Sequence, residues 1–209
     1  MARYTGPKDK KSRASGVKLN LKGDRDLSQK SGFTRRSYPP GMHGQKRRRA
    51  KSEYGTQLLE KQKVKWLYGI LERQFRRYIQ EAEKHTGVTG QMLVRRLEGR
   101  LDNVVYRLGL AVSRSAARQL VGHGHITING RKVTVPSYQV RTQDVIGIRP
   151  GSRAKKIFGD TAQRLKPYAP PSWLTLDKEN LEGTVTGLPT VEEAAIPADI
   201  QKIVEFYSR

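Results

Sequence analysis

Lysine and arginine carry most of the chemistry that this sequence offers. The chain of 209 residues has 41 of them against 19 aspartates and glutamates, which gives a formal net charge of +22 at neutral pH. So large an excess repels itself in a compact protein and is typical of proteins that bind a polyanion. Residues 1–51 hold 16 basic and 3 acidic residues, whereas 150–209 hold 8 of each. The composition therefore predicts nucleic-acid binding, concentrated in the first three quarters of the chain.

Arg114 and Arg118 have a spacing that suits a phosphate backbone. They lie four residues apart at the start of a predicted helix that Ser113 caps, so both side chains project from the same side. The helix dipole favours anions at this end. We therefore predict that both arginines contact a sugar-phosphate backbone.

Residue types that serve catalysis or metal binding are missing or isolated in the sequence. The chain has no cysteine, which excludes disulfides and thiolate zinc ligands. His123 and His125 form an H-x-H pair without further ligands nearby, so we interpret them as strand-entry residues or phosphate contacts. Hydrolase, P-loop, zinc-protease and dinucleotide-binding motifs do not occur. We expect a protein that is not an enzyme, with no cofactor, no metal and no small-molecule substrate.

The sequence also gives no sign of a membrane segment. No run approaches the ~18 to 20 apolar residues of a transmembrane helix, and the first residues lack the apolar stretch of a secretory signal. We expect no membrane partner and a cytosolic location.

Helical periodicity begins at Ser52. Apolar residues recur at three- and four-residue steps from Leu67 to Ala82, with Gly69 predicted to separate two helices and Gly87 to end the second. A third helix is predicted to start from Thr89 as its N-cap.

The stretch 98–149 predicts two compact helices followed by a small sheet. Gly109 is expected to end the first helix, and Asn129-Gly130 has the composition of a hairpin turn between two strands. A further strand is predicted over 145–148, and an amphipathic helix ends the chain.

Residues 1–51 are expected to be irregular. Glycines and the Pro39-Pro40 pair interrupt any regular period, and apolar content is low. One interpretation is a basic tail that is disordered in the free protein, and the other is a segment that packs once a partner is present. We favour ordering on RNA.

Several motifs in the right order resemble one known family. R-L-D-x-x-x-Y-R-L-G, S-R-x-x-A-R-Q-L and G-H-I-x-I-N-G, within residues 100–149, are similar to the αL RNA-binding module. MARYTGPKDKKSR, YPPGMHGQKRRR, EYGTQLLEKQKVKWLYGILERQF and VEFYSR extend the resemblance, over nearly the whole chain, to the bacterial small-subunit ribosomal protein S4 family.

The resemblance implies an α+β fold in three parts. An irregular basic N-terminal extension (1–51) precedes a small helical rRNA-binding domain (52–99), on which the C-terminal helix 198–209 is expected to pack. The inserted αL module, two helices plus a small sheet, occupies 100–197 with its core at 100–149 and a C-terminal extension.

The implied function is that of a structural constituent of the small ribosomal subunit. Such a protein binds the 5′ domain of 16S rRNA, nucleates subunit assembly and contributes to translational accuracy. The candidate rRNA contacts are Arg3, Lys8, Lys10, Arg35, Arg36, Lys61, Lys63, Arg73, Arg76, Arg100, Ser113, Arg114, Arg118, Gln119, His123, His125, Asn129, Arg131 and Lys132.

Two further partners follow from the resemblance. Arg47, Arg48 and Arg49 are implied to reach the path by which messenger RNA enters the ribosome. Tyr54, Gln57 and Glu205 are implied to contact the neighbouring ribosomal protein S5.

The chain departs from the family at one point. Many members bind zinc through four cysteines, but the aligned positions in this chain are Asp9, Ser12, Asp26 and Ser31, a poor set of zinc ligands. We expect RNA contacts or local packing to hold this segment instead.

Two other classes share the αL module. An RNA-modifying enzyme would need a further catalytic domain, for which this chain has no room. A stress factor that acts on stalled ribosomes would leave the basic N-terminal segment and the terminal helix without a role.

Overall fold

The chain folds into two compact units. The computed structural model describes residues 4–46 and 49–208. The first unit contains residues 4–93 and 195–208, and the second contains residues 94–194. In the described part of the chain, no helix is both long enough and apolar enough to span a membrane.

Helices make up most of the regular structure. They are α1 Lys8–Ser15, α2 Asp24–Leu27, α3 Gly32–Arg35, α4 Glu53–Leu67, α5 Glu72–Glu83, α6 Thr89–Glu98, α7 Leu101–Arg107, α8 Arg114–Gly122, α9 Pro150–Arg153, α10 Thr161–Leu165, α11 Val191–Ala194 and α12 Ile200–Tyr207, with a 3-10 turn at Lys156–Phe158. The strands are β1 Ile126–Ile128, β2 Arg131–Lys132, β3 Val145–Ile148, β4 Leu174–Asp177 and β5 Glu182–Val185.

The first unit is built on α4 and α5, as the periodicity predicts. The hydroxyl of Ser52 accepts a hydrogen bond from the backbone N–H of Gly55 at 3.2 Å and caps α4. Gly69 has φ +64°, a conformation that glycine adopts without strain, and it separates the two helices. Phe75, Tyr78 and Ile79 bury the apolar face of α5. The terminal helix α12 packs against α4 and buries Ile203.

The N-terminal segment differs from the irregular chain expected, because it contains α1, α2 and α3. Polar contacts rather than an apolar core hold these short helices. The Lys22 ammonium pairs with Asp9 at 2.6 Å, while the Lys22 backbone N–H donates to Asp26 at 2.8 Å. The Arg13 guanidinium donates to the backbone oxygens of Tyr38 at 2.9 Å and Pro39 at 3.2 Å.

The second unit has a core between α7, α8 and one face of a sheet. Leu101, Val104 and Val105 of α7 are fully buried, and the Ser113 hydroxyl caps α8 by accepting from the Ala116 N–H at 3.3 Å. Gly109 ends α7 with φ +74°, and a Cβ there would collide with Leu165. The two predicted helices are therefore confirmed.

The sheet has five antiparallel strands in the order β2-β1-β3-β5-β4. The predicted Asn129-Gly130 turn is confirmed, with φ 50° and 77°, as a type I′ hairpin requires. Strand β2 is only two residues long, because the chain leaves the sheet after Lys132. The carbonyl groups of Pro136 and Tyr138 instead accept hydrogen bonds from the N–H groups of Asp102 and Leu101 at the start of α7. Strands β4 and β5 extend the predicted sheet beyond β3.

Candidate nucleic-acid interface

The start of α8 lies beside a buried ion pair. The Arg100 guanidinium donates two hydrogen bonds to the Asp102 carboxylate, at 3.0 and 2.7 Å, and Arg100 is only 1% exposed. Arg118 reaches the same carboxylate at 3.7 Å with 16% of its side chain exposed. Arg100 therefore stabilises the unit from inside, and its predicted contact with rRNA stays a prediction that this burial does not favour.

A second carboxylate organises the other arginines of this region. Glu98, fully buried, accepts two hydrogen bonds from Arg107, at 2.9 and 3.0 Å, and lies 3.9 Å from Arg114. The Arg114 guanidinium also donates to Asn103 Oδ1 at 2.7 Å and lies over the Tyr106 ring. These contacts fix Arg114 in one orientation and leave 13% of its side chain exposed.

Taken together, four guanidinium groups share two carboxylates in this arginine cluster, which consists of Glu98, Arg100, Asp102, Arg107, Arg114 and Arg118. The six groups sum to +2. Arg107, Arg114 and Arg118 keep 18, 13 and 16% of their side chains exposed, so part of the surplus charge reaches the surface, which favours an anionic ligand held by preorganised donors. Ser113 is 5% exposed and serves as the N-cap, so the structure gives it a local role, and its RNA contact stays a prediction.

The end of α8 and the hairpin after it present a second set of polar and basic side chains. Gln119, His123, Arg131 and Lys132 are exposed. Among the described residues, no carboxylate lies within 4.0 Å of the Arg131 or Lys132 charged group. Their charge is therefore available to a phosphate.

Asn129 has a structural role in the turn, and because it is also exposed, its predicted RNA contact stays a prediction. Its amide group donates to Asp144 at 2.9 Å, and its side-chain oxygen accepts from the Val145 N–H at 2.9 Å. These bonds tie the hairpin turn to β3.

His125 is half-buried beneath this surface. Its Nδ1 lies 3.0 Å from the Ser152 hydroxyl. The Phe158 ring packs edge-on against the imidazole, with 6.0 Å between the two ring centres. Burial, followed by the charges of Lys155, His123 and Arg149, lowers the pKa of His125. The ring is thus surrounded by positive groups.

In the first unit, two predicted contacts are engaged in ion pairs. Lys61 is 6% exposed and its ammonium lies 2.9 Å from Glu72 and 4.5 Å from the centre of the Phe206 ring. Lys63 pairs with Glu60 at 2.7 Å. The RNA contact of Lys61 stays a prediction that the structure does not favour, because the Lys61 charge is compensated inside the unit.

Arg73 and Arg76 are exposed on α5 and stay candidate contacts. On the N-terminal segment Lys10, Arg35 and Arg36 are also exposed, while the Lys8 ammonium donates to the Leu21 carbonyl at 3.3 Å. Arg35 and Arg36 border a cleft of about 230 Å³, which is lined by Asp9, Arg13, Arg25, Lys30, Gly32, Arg35 and Arg36.

The residues predicted to contact a neighbouring protein lie close together in the first unit. The Gln57 amide is buried and donates to the Glu205 carboxylate at 3.2 Å, so Gln57 joins α4 to α12 and is not available at the surface. Tyr54 is 54% exposed and packs against Phe206, with 5.5 Å between the ring centres, and Glu205 is exposed.

Of the three mRNA candidates, Arg49 is exposed, whereas Arg47 and Arg48, like Arg3, lie outside the described residues.

The positions aligned with the family's zinc cysteines do not fit a metal. Asp9 and Asp26 are both engaged by Lys22, the Ser12 hydroxyl accepts from the Leu19 N–H, and Ser31 caps α3. Hydroxyl and ion-paired carboxylate groups supply neither the nitrogen nor the sulfur ligands of structural zinc sites. No group of three or more potential metal ligands occurs in residues 4–46 and 49–208.

Sequence reasoning missed one group of exposed cations. Arg149, Lys155 and Lys156 follow β3 and lie beside the hairpin. The zero net charge of 150–209 concealed Lys155 and Lys156, since acidic residues further along balance the sum. A shorter charge window would have found this cluster.

Fold and charge together define a class: a basic binding protein in which an α+β module presents arginine, lysine and histidine side chains. Two matches to known families cover most of the chain. Residues 3–98 match the family described as "Ribosomal protein S4/S9 N-terminal domain", and residues 99–146 match the "S4 domain".

Curated relatives agree with these matches over the full length of both chains. Small ribosomal subunit protein uS4 of Halothermothrix orenii is 54% identical, that of Thermus thermophilus 51% and that of Geobacter sp. strain M21 50%, each over 209 residues. The chain belongs to the uS4 family of small ribosomal subunit proteins. This family consists of structural ribosomal components rather than enzymes.

Proposed function

We propose that this protein binds ribosomal RNA as a structural constituent of the small subunit, ribosome-bound in the cytoplasm. The observation that carries the proposal is the division of cations in the second unit. Arg114 and Arg118 are partly exposed members of the arginine cluster, which carries net positive charge, and Arg131 and Lys132 add exposed cations on the hairpin. Arg114 and Arg118 are hydrogen-bond donors held in place, whereas the Lys132 side chain is flexible. Together they suit a folded RNA, whose phosphates are not regularly spaced.

The finer proposal names the 5′ domain of 16S rRNA as the ligand and early assembly as the role. Both follow from family membership. Exposed cations in both units support it, since a junction of several RNA helices offers phosphates in many directions. A contribution to translational accuracy belongs to the same proposal.

A neighbouring protein and mRNA are proposed as further partners. Tyr54 and Glu205 form an exposed aromatic and acidic surface, which suits a partner such as ribosomal protein S5. Arg49 is exposed in the stretch that family resemblance assigns to the mRNA path.

The test is a filter-binding titration of the purified protein against a 16S 5′-domain transcript and a length-matched duplex RNA at several salt concentrations. A protein that neutralises on the order of 6 to 10 phosphates loses ~10³ to 10⁵ in affinity between 50 and 200 mM salt. We expect a preference for the transcript that persists at physiological salt. Equal and equally salt-sensitive binding to both RNAs would reduce the protein to a general basic RNA binder.

A further inference from the structure

A short basic segment follows β3 in the second unit. Residues 149–156, which we name the basic turn, contain Arg149, Arg153, Lys155 and Lys156, and all four are exposed. The segment includes the single-turn helix α9 and leads into the 3-10 turn.

His125 holds the basic turn against the hairpin. Its carbonyl accepts a hydrogen bond from the Arg149 N–H at 2.9 Å, and its ring contacts the Ser152 hydroxyl and the edge of Phe158. These contacts hold the backbone at Arg149 and Ser152, and again at Phe158 just beyond the segment. The backbone that carries the exposed cations therefore stays beside His125.

The basic turn is continuous with the hairpin cations. Lys155, His123 and Arg149 lie near enough to His125 to lower its pKa together with burial. On the other side, the Lys132 side chain lies against Gly124, where an added Cβ would collide with it. His123 at the end of α8 thus lies near Arg149 and Lys155 of the turn, and Lys132 of the hairpin lies against Gly124, the residue between His123 and His125.

Acidic compensation differs among the four cations. Arg153 pairs with Glu182 at 2.8 Å. Within residues 4–46 and 49–208, no carboxylate lies within 4.0 Å of the charged groups of Arg149, Lys155 or Lys156. The turn therefore adds net positive charge, and Arg153 provides an internal comparison.

We propose that the basic turn is a second phosphate-binding part of the RNA interface, in which Arg149 and Lys155 bind the same RNA that the hairpin contacts. The inference rests on the proposed function and deepens it. An RNA that contacts the hairpin also brings phosphates close to the basic turn, because its backbone carries a phosphate at every nucleotide.

The test compares two variants of the full chain with the wild type against the 5′-domain transcript. The double variant Arg149→Gln, Lys155→Gln removes both proposed contacts, and Arg153→Gln removes an ion-paired arginine from the same turn. We expect the double variant to lose at least about tenfold in affinity at physiological salt, with the slope of log affinity against log salt shallower by about 2. Arg153→Gln is expected to change both quantities much less.

Thermal unfolding of each variant verifies that the fold is intact, which exposed substitutions normally preserve. Lys155→Glu is a second test, because a reversed charge repels phosphate and lowers affinity further than Lys155→Gln. Wild-type affinity and slope in the folded double variant would overturn the inference. In that case the proposed function would still stand if the wild type prefers the transcript to the duplex RNA. If the wild type shows no such preference, the proposed function itself fails.

Discussion

Arg100 and Arg131 carry the same charge, yet their surroundings give them different roles. Arg100 is enclosed with Asp102, and removing water from such a pair makes each partner depend on the other. Arg131 is exposed on the hairpin and keeps its charge available. At the residue scale, burial and carboxylate contacts decide which cations can reach a phosphate.

Replacing Arg100 with methionine is expected to lower the free energy of unfolding by about 3 to 5 kcal/mol, because the buried Asp102 carboxylate loses its bidentate partner. Urea unfolding measures the change. Arg131→Met is the matched control and should alter the free energy of unfolding by less than about 0.5 kcal/mol. Equal stabilities for the two variants would contradict the structural role given to Arg100.

The double variant Arg114→Ala, Arg118→Ala tests the exposed side of the arginine cluster. We expect weaker binding to the 5′-domain transcript and a salt slope shallower by about 2, since two phosphate contacts are lost. Filter binding at several salt concentrations measures both, with circular dichroism as the folding control. An unchanged slope in a folded variant would remove these arginines from the interface.

At the element scale, polar contacts decide how the short helices are held. Glu72 at the start of α5 accepts hydrogen bonds from Lys61 and Lys65 and from the Tyr207 hydroxyl of α12, at 2.9, 2.7 and 2.6 Å. Burial alone would raise the pKa of Glu72, but the hydrogen bonds from Lys65, Tyr207 and Lys61 together lower it to about 2. One carboxylate thus joins three helices of the first unit.

This carboxylate makes the first unit sensitive to acid. Because the folded-state pKa of Glu72 lies below its ordinary value of 4.5, its stabilisation is present above pH 4.5 and is lost as the pH falls towards 2. We expect Glu72→Gln to weaken the dependence of the urea midpoint on pH between about 5 and 3. Glu83→Gln, an exposed change on the same helix, should retain the wild-type dependence. Parallel pH profiles for wild type and Glu72→Gln would contradict this interpretation.

We expect the N-terminal segment to depend on the Lys22 contacts rather than on a metal. A chelator such as EDTA is expected to leave hydrogen exchange of residues 8–35 unchanged, whereas Lys22→Met should accelerate it by removing the ion pair to Asp9. Exchange measured by mass spectrometry checks both. Lys18→Met is the control on the same segment. Faster exchange with the chelator alone would show that a metal holds these helices.

Sequence periodicity was sufficient for the longer helices and insufficient for the short elements. Apolar residues recur at helical spacing in 101–108 and 75–82, so the sequence predicts the buried faces of these helices. Helices α1 to α3 have little apolar surface, and their stability comes from side chains such as Arg13 that meet backbone groups about 25 residues away. Strands β4 and β5 depend on pairing with β3, a nonlocal contact that no local pattern encodes.

The sequence predicts only part of the candidate site. The spacing of Arg114 and Arg118 predicts that they share one side of α8, but the carboxylates that orient them belong to Glu98 and Asp102, outside α8. Burial of Arg100 and Lys61 depends on tertiary packing, so composition could not separate them from the exposed cations.

At the scale of the whole molecule, a net charge of +22 is divided between two units with separate cores. Each unit exposes cations beside others whose charge is already compensated. The three-part division of the chain at residues 51 and 99 stays a prediction. Binding of one RNA by both units would give high affinity, because the second contact becomes intramolecular once the first has formed.

The central claim is that RNA contacts cations that reach the surface of the chain and not those, such as Lys61, that are buried with a carboxylate partner. Lysine acetylation, read by mass spectrometry with and without the 16S 5′-domain transcript, tests it most directly. We predict that Lys10 and Lys132 react in the free protein and are protected by the transcript, that exposed Lys178 reacts in both states, and that buried Lys61 stays slow in both. Unchanged reactivity of Lys10 and Lys132 in the saturated complex would contradict the claim.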